Sequence, residues 1–571
     1  MDFTLMIPDE TLSYIFSHVQ SIEPGARKAL RGFQRNHVHP SREAILGWIK
    51  VSFVSRRWRQ VAIQNATLWT HLNAELGSNW VDEFIRRSKD AVLTLDGQYF
   101  PHIGENARDM RLRQLVSTYH GRLADLRVTV PIGPAILDEL LSYTFKSLVE
   151  LNLKTANYGV NGSVSLRSLF ERTPRLRRLT IDLADVSCAT FNWQAACFSA
   201  LTHLDLVFGS NPATLGAMAI SPQLLDALRR MTALTHLAIY ESLPTAPLNC
   251  NHRCSGTSAD LILFQSMRSM VVESCHETHA HILRHVRLPS RARLNLGSHS
   301  LSRPDPPKES PTYEALSKEL EAFLRAYTEA PLFQSAYLSF DLSNFHDIDP
   351  VGPGSTFVTL GLTRAAQPAR PEFVNLIYGT AHDPHDRHVN DLSIRVHASR
   401  ASDIVSLLPH DSVRFLTLYN AALSYDHALL SLFPNVERLC LSTWMPVYGI
   451  HLLGNTSVLP NLRLIDLYGK DSKLLNILRS FDNSEPSLSV TDTQFLVLEN
   501  VLRARGQMGS PLRAVYLHIA EEVALVRAGK IAETSCRRDV EATVLEAIQR
   551  LEDKEEVQFV QEDFNVFGSV L

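Results

Sequence analysis

Two short runs hold residue types that ligate metals or shuttle protons. Residues 250–254 (CNHRC) and 275–281 (CHETHAH) gather Cys250, His252, Cys254, Cys275, His276, His279 and His281. Thiolate and imidazole are the donors zinc favours, and steps of Cys-x3-Cys and Cys-x3-His could serve one ion. A third run, 379–388 (GTAHDPHDRH), mixes His382, His385 and His388 with Asp383 and Asp386, types suited to acid–base work. All three read more simply as loop and turn. Cys275 closes a strand-like segment, no second tight cysteine pair accompanies the first, and polar residues of this kind crowd loop tips. The nucleophile and nucleotide motifs G-x-S-x-G, H-E-x-x-H, the phosphate-binding loop and the dinucleotide fingerprint do not occur. Residues 351–356 (VGPGST) are glycine-rich but lack the lysine. No catalytic residue, resident metal or cofactor is expected, and the chain does not read as an enzyme. Arg172, Arg175, Arg177 and Arg178 form a local basic cluster, either a solvated face or a contact for something acidic.

The elements that carry these residues follow one recurring pattern, L-x-x-L-x-L with aliphatic substitutes. It occurs as LADLRV (123–128), LVELNL (148–153), LRRLTI (176–181), LTHLDL (201–206) and LTHLAI (234–239). Weaker copies are MRSMVV (267–272), RARLNL (291–296) and FQSAYL (333–338). Then come VNDLSI (389–394), VRFLTL (413–418), VERLCL (436–441), LRLIDL (462–467) and LRAVYL (512–517). Fourth positions step from 126 to 151, 179 and 204, and later from 392 to 416, 439 and 465. Both series fall within the leucine-rich-repeat period of about 20–29 residues. Each copy reads as a short strand with a helix returning behind it, and neighbours stack because one unit cannot bury its apolar face alone. Three irregularities stand out. The segment 298–314 reads as an exposed linker, and 371–397 as a hairpin or excursion. The doubled step from 465 to 515 suggests a hidden degenerate repeat.

Composition sets the bounds. The chain has 571 residues, 45% of them apolar and 20% charged, with net charge −4. That is ordinary folded protein, long enough for several domains or a repeat array. No overall basic field advertises nucleic acid or an anionic membrane. No apolar stretch reaches the roughly 18–20 residues of a membrane span. Seven cysteines are too few for a disulfide scaffold and odd in number. The start, MDFTLMIPDE, does not resemble a secretory signal. Cytosol or nucleus is the expected compartment.

Residues 7–20 read as an amphipathic helix, with Pro8 and Asp9 at its start and Leu12, Ile15, Phe16 and Val19 on one stripe. Trp48–Ile63 reads as a second, with Val51, Val54, Trp58, Val61 and Ala62 sharing a face and Arg56, Arg57 and Arg59 elsewhere. Ile7-Pro8-x-Glu10-x-Leu12-x-x-Ile15-Phe16, followed by Val51-x-x-Val54-Ser55-Arg56-Arg57-Trp58-Arg59-x-Val61-Ala62, resembles an F-box. That motif docks a receptor onto the Skp-type adaptor of cullin–RING ubiquitin ligases. Ala66-Thr67-Leu68-Trp69 is similar to the tail found after it in many fungal members with leucine-rich repeats. Two departures are visible. Ser55 stands where a cysteine is common, and about two dozen extra residues separate the halves.

The resemblance implies an α/β solenoid: N-terminal F-box helices followed by an irregular leucine-rich-repeat horseshoe. The expected divisions are 1–72 (F-box with an inserted loop at about 21–47), 73–119 (linker and N-terminal cap), 120–536 (repeats) and 537–571 (capping helix and strand). It implies a substrate receptor whose Ile7, Pro8, Leu12, Ile15, Phe16, Val51, Val54, Trp58 and Val61 face the adaptor or pack the helices together. An unidentified target protein would bind the concave face, where Thr180, Asp182, His203, Asp205, His236, Tyr240, Asp466 and Tyr468 point outward. Neither nucleic acid nor membrane is an expected partner. The rival expectation is an interaction scaffold outside ubiquitin transfer, with the N-terminal helices only capping the solenoid.

Overall fold

The computed structural model describes residues 6–23, 46–72, 77–96, 105–128, 139, 142–154, 167–183, 192–208, 222–241, 261–274, 276–289, 291–298, 311–327, 335–341, 357–363, 392–408, 410–419, 427–442, 451–455, 457–469, 500–501, 503–509, 512, 514–519 and 558–561. The chain divides into two compact units, Met1–Ser269 with His285–Arg287, and Met270–Arg284 with Leu288–Leu571. Both are α/β, built on mostly parallel strands with helices between them.

The first unit opens with helix α1, Asp9–Ile22, entered through Pro8 with Asp9 and Glu10 in its first turn, where the helix dipole favours acids. Leu12 and Phe16, one turn apart, are wholly buried. The single helix expected over 48–63 is two. A 3-10 segment, Gly47–Phe53, buries Trp48, Ile49 and Val51, and helix α2 runs Arg56–Gln64. The break is Ser55, whose extended backbone ends the first piece and whose hydroxyl accepts from the Trp58 amide at 3.2 Å to start the second. The serine that departs from the F-box pattern is therefore a helix cap. The Trp48 amide donates to the Glu23 carbonyl at 3.0 Å, so the two ends of the inserted segment meet. Residues 24–45 lie outside the described residues.

A buried aromatic cluster joins these helices to the start of the sheet. Trp69 meets Trp48 and Phe84 edge-on, each at 5.0 Å between ring centroids, and its indole Nε1 donates to the Ala62 carbonyl at 2.7 Å. The Arg87 guanidinium lies 4.1 Å over the Trp69 ring. Phe84 and Arg87 belong to α3, Ser78–Ser88.

The sheet of this unit begins at β1, His71–Leu72, well ahead of the expected repeat boundary at 120. It continues through β2 (Leu93–Asp96), α4 (Glu105–Tyr119), β3 (Leu123–Val128), β4 (Glu150–Lys154), α5 (Arg167–Glu171), β5 (Arg178–Leu183), β6 (His203–Phe208), α6 (Pro222–Arg230) and β7 (His236–Glu241). β1 to β7 pair parallel in sequence order. The fourth positions of the repeat motif, Leu126, Leu151, Leu179, Leu204 and Leu237, form one register row, and all are buried. Val128, Leu153, Ile181, Leu206 and Ile239 form the next, also buried. The turns stack as well: Thr202 N donates to Arg177 O, Thr235 N to Thr202 O and Arg268 N to Thr235 O, at 2.7–2.8 Å.

The second unit holds β8 (Ser269–Ser274), α7 (His276–His285), β9 (Arg293–Ser298), α8 (Pro311–Tyr327), β10 (Ser335–Asp341), β11 (Phe357–Thr363), β12 (Leu392–His397), α9 (Ala398–Ser406), β13 (Phe415–Tyr419), α10 (His427–Ser431), β14 (Arg438–Ser442), β15 (Leu464–Gly469), β16 (Ala514–Ile519) and β17 (Gln558–Gln561). Three expectations change here. β11 runs antiparallel between β10 and β12, so β12 neighbours β9 while β10 neighbours β13. The step from 392 to 416 is therefore not one repeat in space. β15 pairs directly with β16, so no strand intervenes between Ile465 and Val515. Residues 311–314, read as the end of the linker, form the first turn of α8. Of the capping helix and strand expected within 537–571, the described residues hold a strand, β17. Arg505, wholly buried, donates to the carbonyls of Leu453, Val458 and Leu459 at 2.6–3.0 Å, and burial pulls its pKa down to about 10. No helix among the described residues is long and apolar enough to cross a membrane.

Replacing Trp69 by Ala should destabilise the first unit by about 3–5 kcal/mol, the usual cost of emptying a buried aromatic site. Denaturant unfolding followed by tryptophan fluorescence checks this. A loss under about 1 kcal/mol would mean the cluster does not hold the helices to the sheet.

Candidate functional site

The expected adaptor-facing residues divide into two groups. Leu12, Phe16, Val51 and Val61 are buried within the helical segment and hold it together. Trp58 is half-buried, its ring 5.1 Å from Phe16, with an indole Nε1 that is shielded and has no hydrogen-bond partner. Ile7 is half-buried, and Pro8, Ile15 and Val54 are exposed.

Sequence reasoning missed the neighbours that enlarge this exposed group. Among the described residues, eleven large apolar side chains are exposed, and six of them, Met6, Tyr14, Ile15, Ile22, Phe53 and Val54, fall in residues 6–54. Scattered exposed apolar residues need no explanation, whereas six in one short segment are a local concentration. Arg57 ties the two halves, donating to Asp9 Oδ1 at 2.6 and 2.9 Å and to the Ile7 carbonyl. That bond brings the turn bearing Phe53 and Val54 to the end of α1 that carries Met6 and Pro8. Asn65 Nδ2 donates to Ser13 Oγ at 2.5 Å and Gln20 Nε2 to the Leu68 carbonyl at 2.9 Å, fixing the other end. The visible signal was Phe53, an aromatic beside Val54 that the stripe left unexplained.

The expected target-binding residues lie on the sheet face opposite the leucine rows, as the period of two requires. Thr180 and Asp205 are register partners, and the Thr180 hydroxyl donates to Asp205 Oδ2 at 3.2 Å. Asp205 is buried, so it is a less available contact than the sequence suggests. His203 and His236 are stacked, with centroids 4.2 Å apart and planes within 10°. Thr202 Oγ1 lies 2.9 Å from His203 Nδ1 and Thr235 Oγ1 lies 2.8 Å from His236 Nδ1. Each hydroxyl also donates to the carbonyl of the preceding turn, Thr202 to Arg177 at 3.1 Å and Thr235 to Thr202 at 2.9 Å. With its one hydrogen in that bond, each hydroxyl is placed to accept from a protonated Nδ1. Asp182 pairs across to Val207 and Val207 to Tyr240, the next outward row. Asp466 and Tyr468 stand in register with Cys440 and Ser442 on β14, and their side chains lie outside the described residues.

Toward β3 this face carries charge. Arg127 contacts Asp125 at 3.0 Å and Glu150 at 2.8 Å, and Arg178 lies 3.5 Å from Glu150. Burial pushes the Asp125 carboxyl up to about 7 against the pull of Arg127, and the nearby negative charges of Glu150 and Asp96 add to the rise. His71, in the same outward row, is held below the usual imidazole value by burial and then by Arg127.

His279 is buried and its Nε2 lies 3.1 Å from the Val272 carbonyl, and no metal-ligating cluster occurs among the described residues. Cys250, His252, Cys254, Cys275 and residues 379–388 lie outside them. The buried Cys197 thiol is pushed up to about 11 by burial.

No family model matches the sequence, and no curated protein matches it.

A carboxyl whose pKa rises on folding to about 7 keeps a proton that the unfolded chain has lost, so it lowers stability as pH climbs from about 4 to about 7. Asp125→Asn removes that dependence. Its thermal midpoint should exceed that of the parent chain at pH 8 and approach it at pH 4.5. A midpoint difference independent of pH would show that Asp125 titrates normally.

Proposed function

We propose that this chain is the substrate receptor of a Skp–cullin–F-box type ubiquitin ligase. Its first 72 residues would form an F-box and the later strands and helices an irregular leucine-rich-repeat solenoid. The F-box would dock the adaptor, and the outward sheet face would hold a target protein. The receptor supplies proximity and no bond chemistry; bringing reactants together is itself worth several kcal/mol of barrier.

The observation that carries this reading is the exposed apolar group on the two N-terminal helices, Ile15, Phe53 and Val54 above all. Short helices of this kind bury their inner stripe, Leu12, Phe16 and Val61, against each other and would keep the outer one only if another protein covers it. The meeting of Glu23 and Trp48 supports it too, since the long insertion does not part the helices.

A second reading rests on the Trp48–Trp69–Phe84 cluster, which welds the same helices to the start of the sheet. Helices so attached would serve as an N-terminal cap of a scaffold with no role in ubiquitin transfer.

Ile15→Glu together with Val54→Glu separates the two. Both side chains are exposed, so circular dichroism and the unfolding midpoint should stay unchanged. Co-purification with a Skp-type adaptor should fall at least about tenfold, as expected when charge replaces an apolar anchor. Undiminished co-purification would sink the docking role of this surface.

A further inference from the structure

The turns that enter β2 to β5, and those preceding β7 and β8, line one edge of the first unit's sheet. Hydrogen bonds fix the alignment. Arg122 Nη2 donates to the Ala91 carbonyl at 2.8 Å, Ser147 Oγ to Gly121 O at 2.9 Å, Phe145 N to Arg172 O at 3.0 Å and Arg177 Nη1 to Ala200 O at 3.1 Å. Successive turns are therefore about one strand spacing apart, roughly 4.8 Å.

This edge is cationic in a chain whose net charge is −4. Lys89, Lys146, Arg175, Arg177 and Arg268 are exposed along it, with Arg172 half-buried among them. Arg172 and Arg177 are held by backbone carbonyls (Ser142 and Ala200), which orient their guanidinium groups without neutralising them. Exposed acids on the same turns are few among the described residues. They are Asp90, and Glu171 at the end of α5, which already accepts from Asn192 Nδ2 at 3.1 Å. The acids of this unit's sheet sit instead on the outward face, as Asp96, Asp125, Glu150 and Asp205.

We propose that this turn edge binds an acidic, extended protein segment, its carboxylates or phosphate esters laid in single file along the cations. The width of the charged strip selects the partner. A nucleic-acid duplex, with a charge every 1.7 Å or so, needs a broad basic field. Here the adjoining face is mixed in charge, Arg127 and Arg178 being paired with Asp125 and Glu150, and offers no basic field for the overhanging phosphates. A single peptide strand keeps to the edge. Guanidinium groups suit both carboxylate and phosphate, through paired N–H donors. This edge is separate from the adaptor-docking surface, which lies on the N-terminal helices.

The test uses the full chain and three fluorescent twelve-residue peptides with acidic, phosphoserine or uncharged positions (Glu, pSer or Gln, alternating with Ser), read by anisotropy at low salt. The Glu or pSer peptide should bind and the Gln peptide should not. Whichever of the first two binds tighter identifies the source of the negative charge. Lys146→Ser, Arg175→Ser and Arg177→Ser combined should weaken binding at least about tenfold, and half-molar salt should remove it, as for screened surface charges. Arg175→Glu alone, at an exposed site, should weaken it in the same direction if the triple variant folds poorly. Failure of both anionic peptides to bind, equal binding by the variants, equal binding of the Gln peptide, or tighter binding of a single-stranded oligonucleotide of the same length would each overturn the proposal.

Discussion

The leucines at 126, 151, 179, 204 and 237 are buried because each strand lies in parallel register with the next. A lone strand could not cover them, so the parallel pairing of neighbouring strands is the condition for the rest of the unit to be ordered. Everything on the surface inherits that spacing. Side chains two residues apart along each strand fall into rows across the outward face, which is how His203 comes to lie on His236 and Arg127 between Asp125 and Glu150. The turns inherit it too, and with them the cations of the sheet edge. The repeat LTHL at 201–204 and 234–237 shows the economy of the arrangement. One threonine per turn bonds the turn before it and lies against Nδ1 of the histidine after it.

A stack of this kind leaves its first strand with an uncovered side. In this unit the Trp48, Trp69 and Phe84 rings lie between the N-terminal helices and the first strands, and β1 at His71–Leu72 extends the sheet toward them. The helices thus do structural duty with one side, through Leu12, Phe16, Val51 and Val61. The other side, with Ile15, Phe53 and Val54, has no such employment among the described residues. That division is why the docking and capping readings share one segment and differ in which side of it they use.

Many of the strands were legible from the sequence because three fixed apolar positions recur and each must face inward. Their neighbours in space were less so. The antiparallel β11 comes after a glycine-rich run and its FVTLGL fits the L-x-x-L-x-L pattern, which is blind to strand direction, so nothing in the spacing announced that it would part β10 from β12. The long step from Ile465 to Val515 mimicked a missing repeat, although the two strands are neighbours. On the N-terminal helices, periodicity identified a stripe but not its inner edge. Around the helix Ile15 stands about 60° from Leu12 and about 100° from Phe16, and only packing chooses between them. Ser55 was visible as a departure from a motif, while its capping of α2 emerged only with backbone geometry.

Hydrogen–deuterium exchange on the full chain, with and without a purified Skp-type adaptor, tests the central claim most directly. The expected result is an equimolar complex in which protection rises in residues 7–22 and 47–64 and stays level across the repeat strands. No complex, or protection confined to the sheet, would contradict the assignment of these helices as a docking surface.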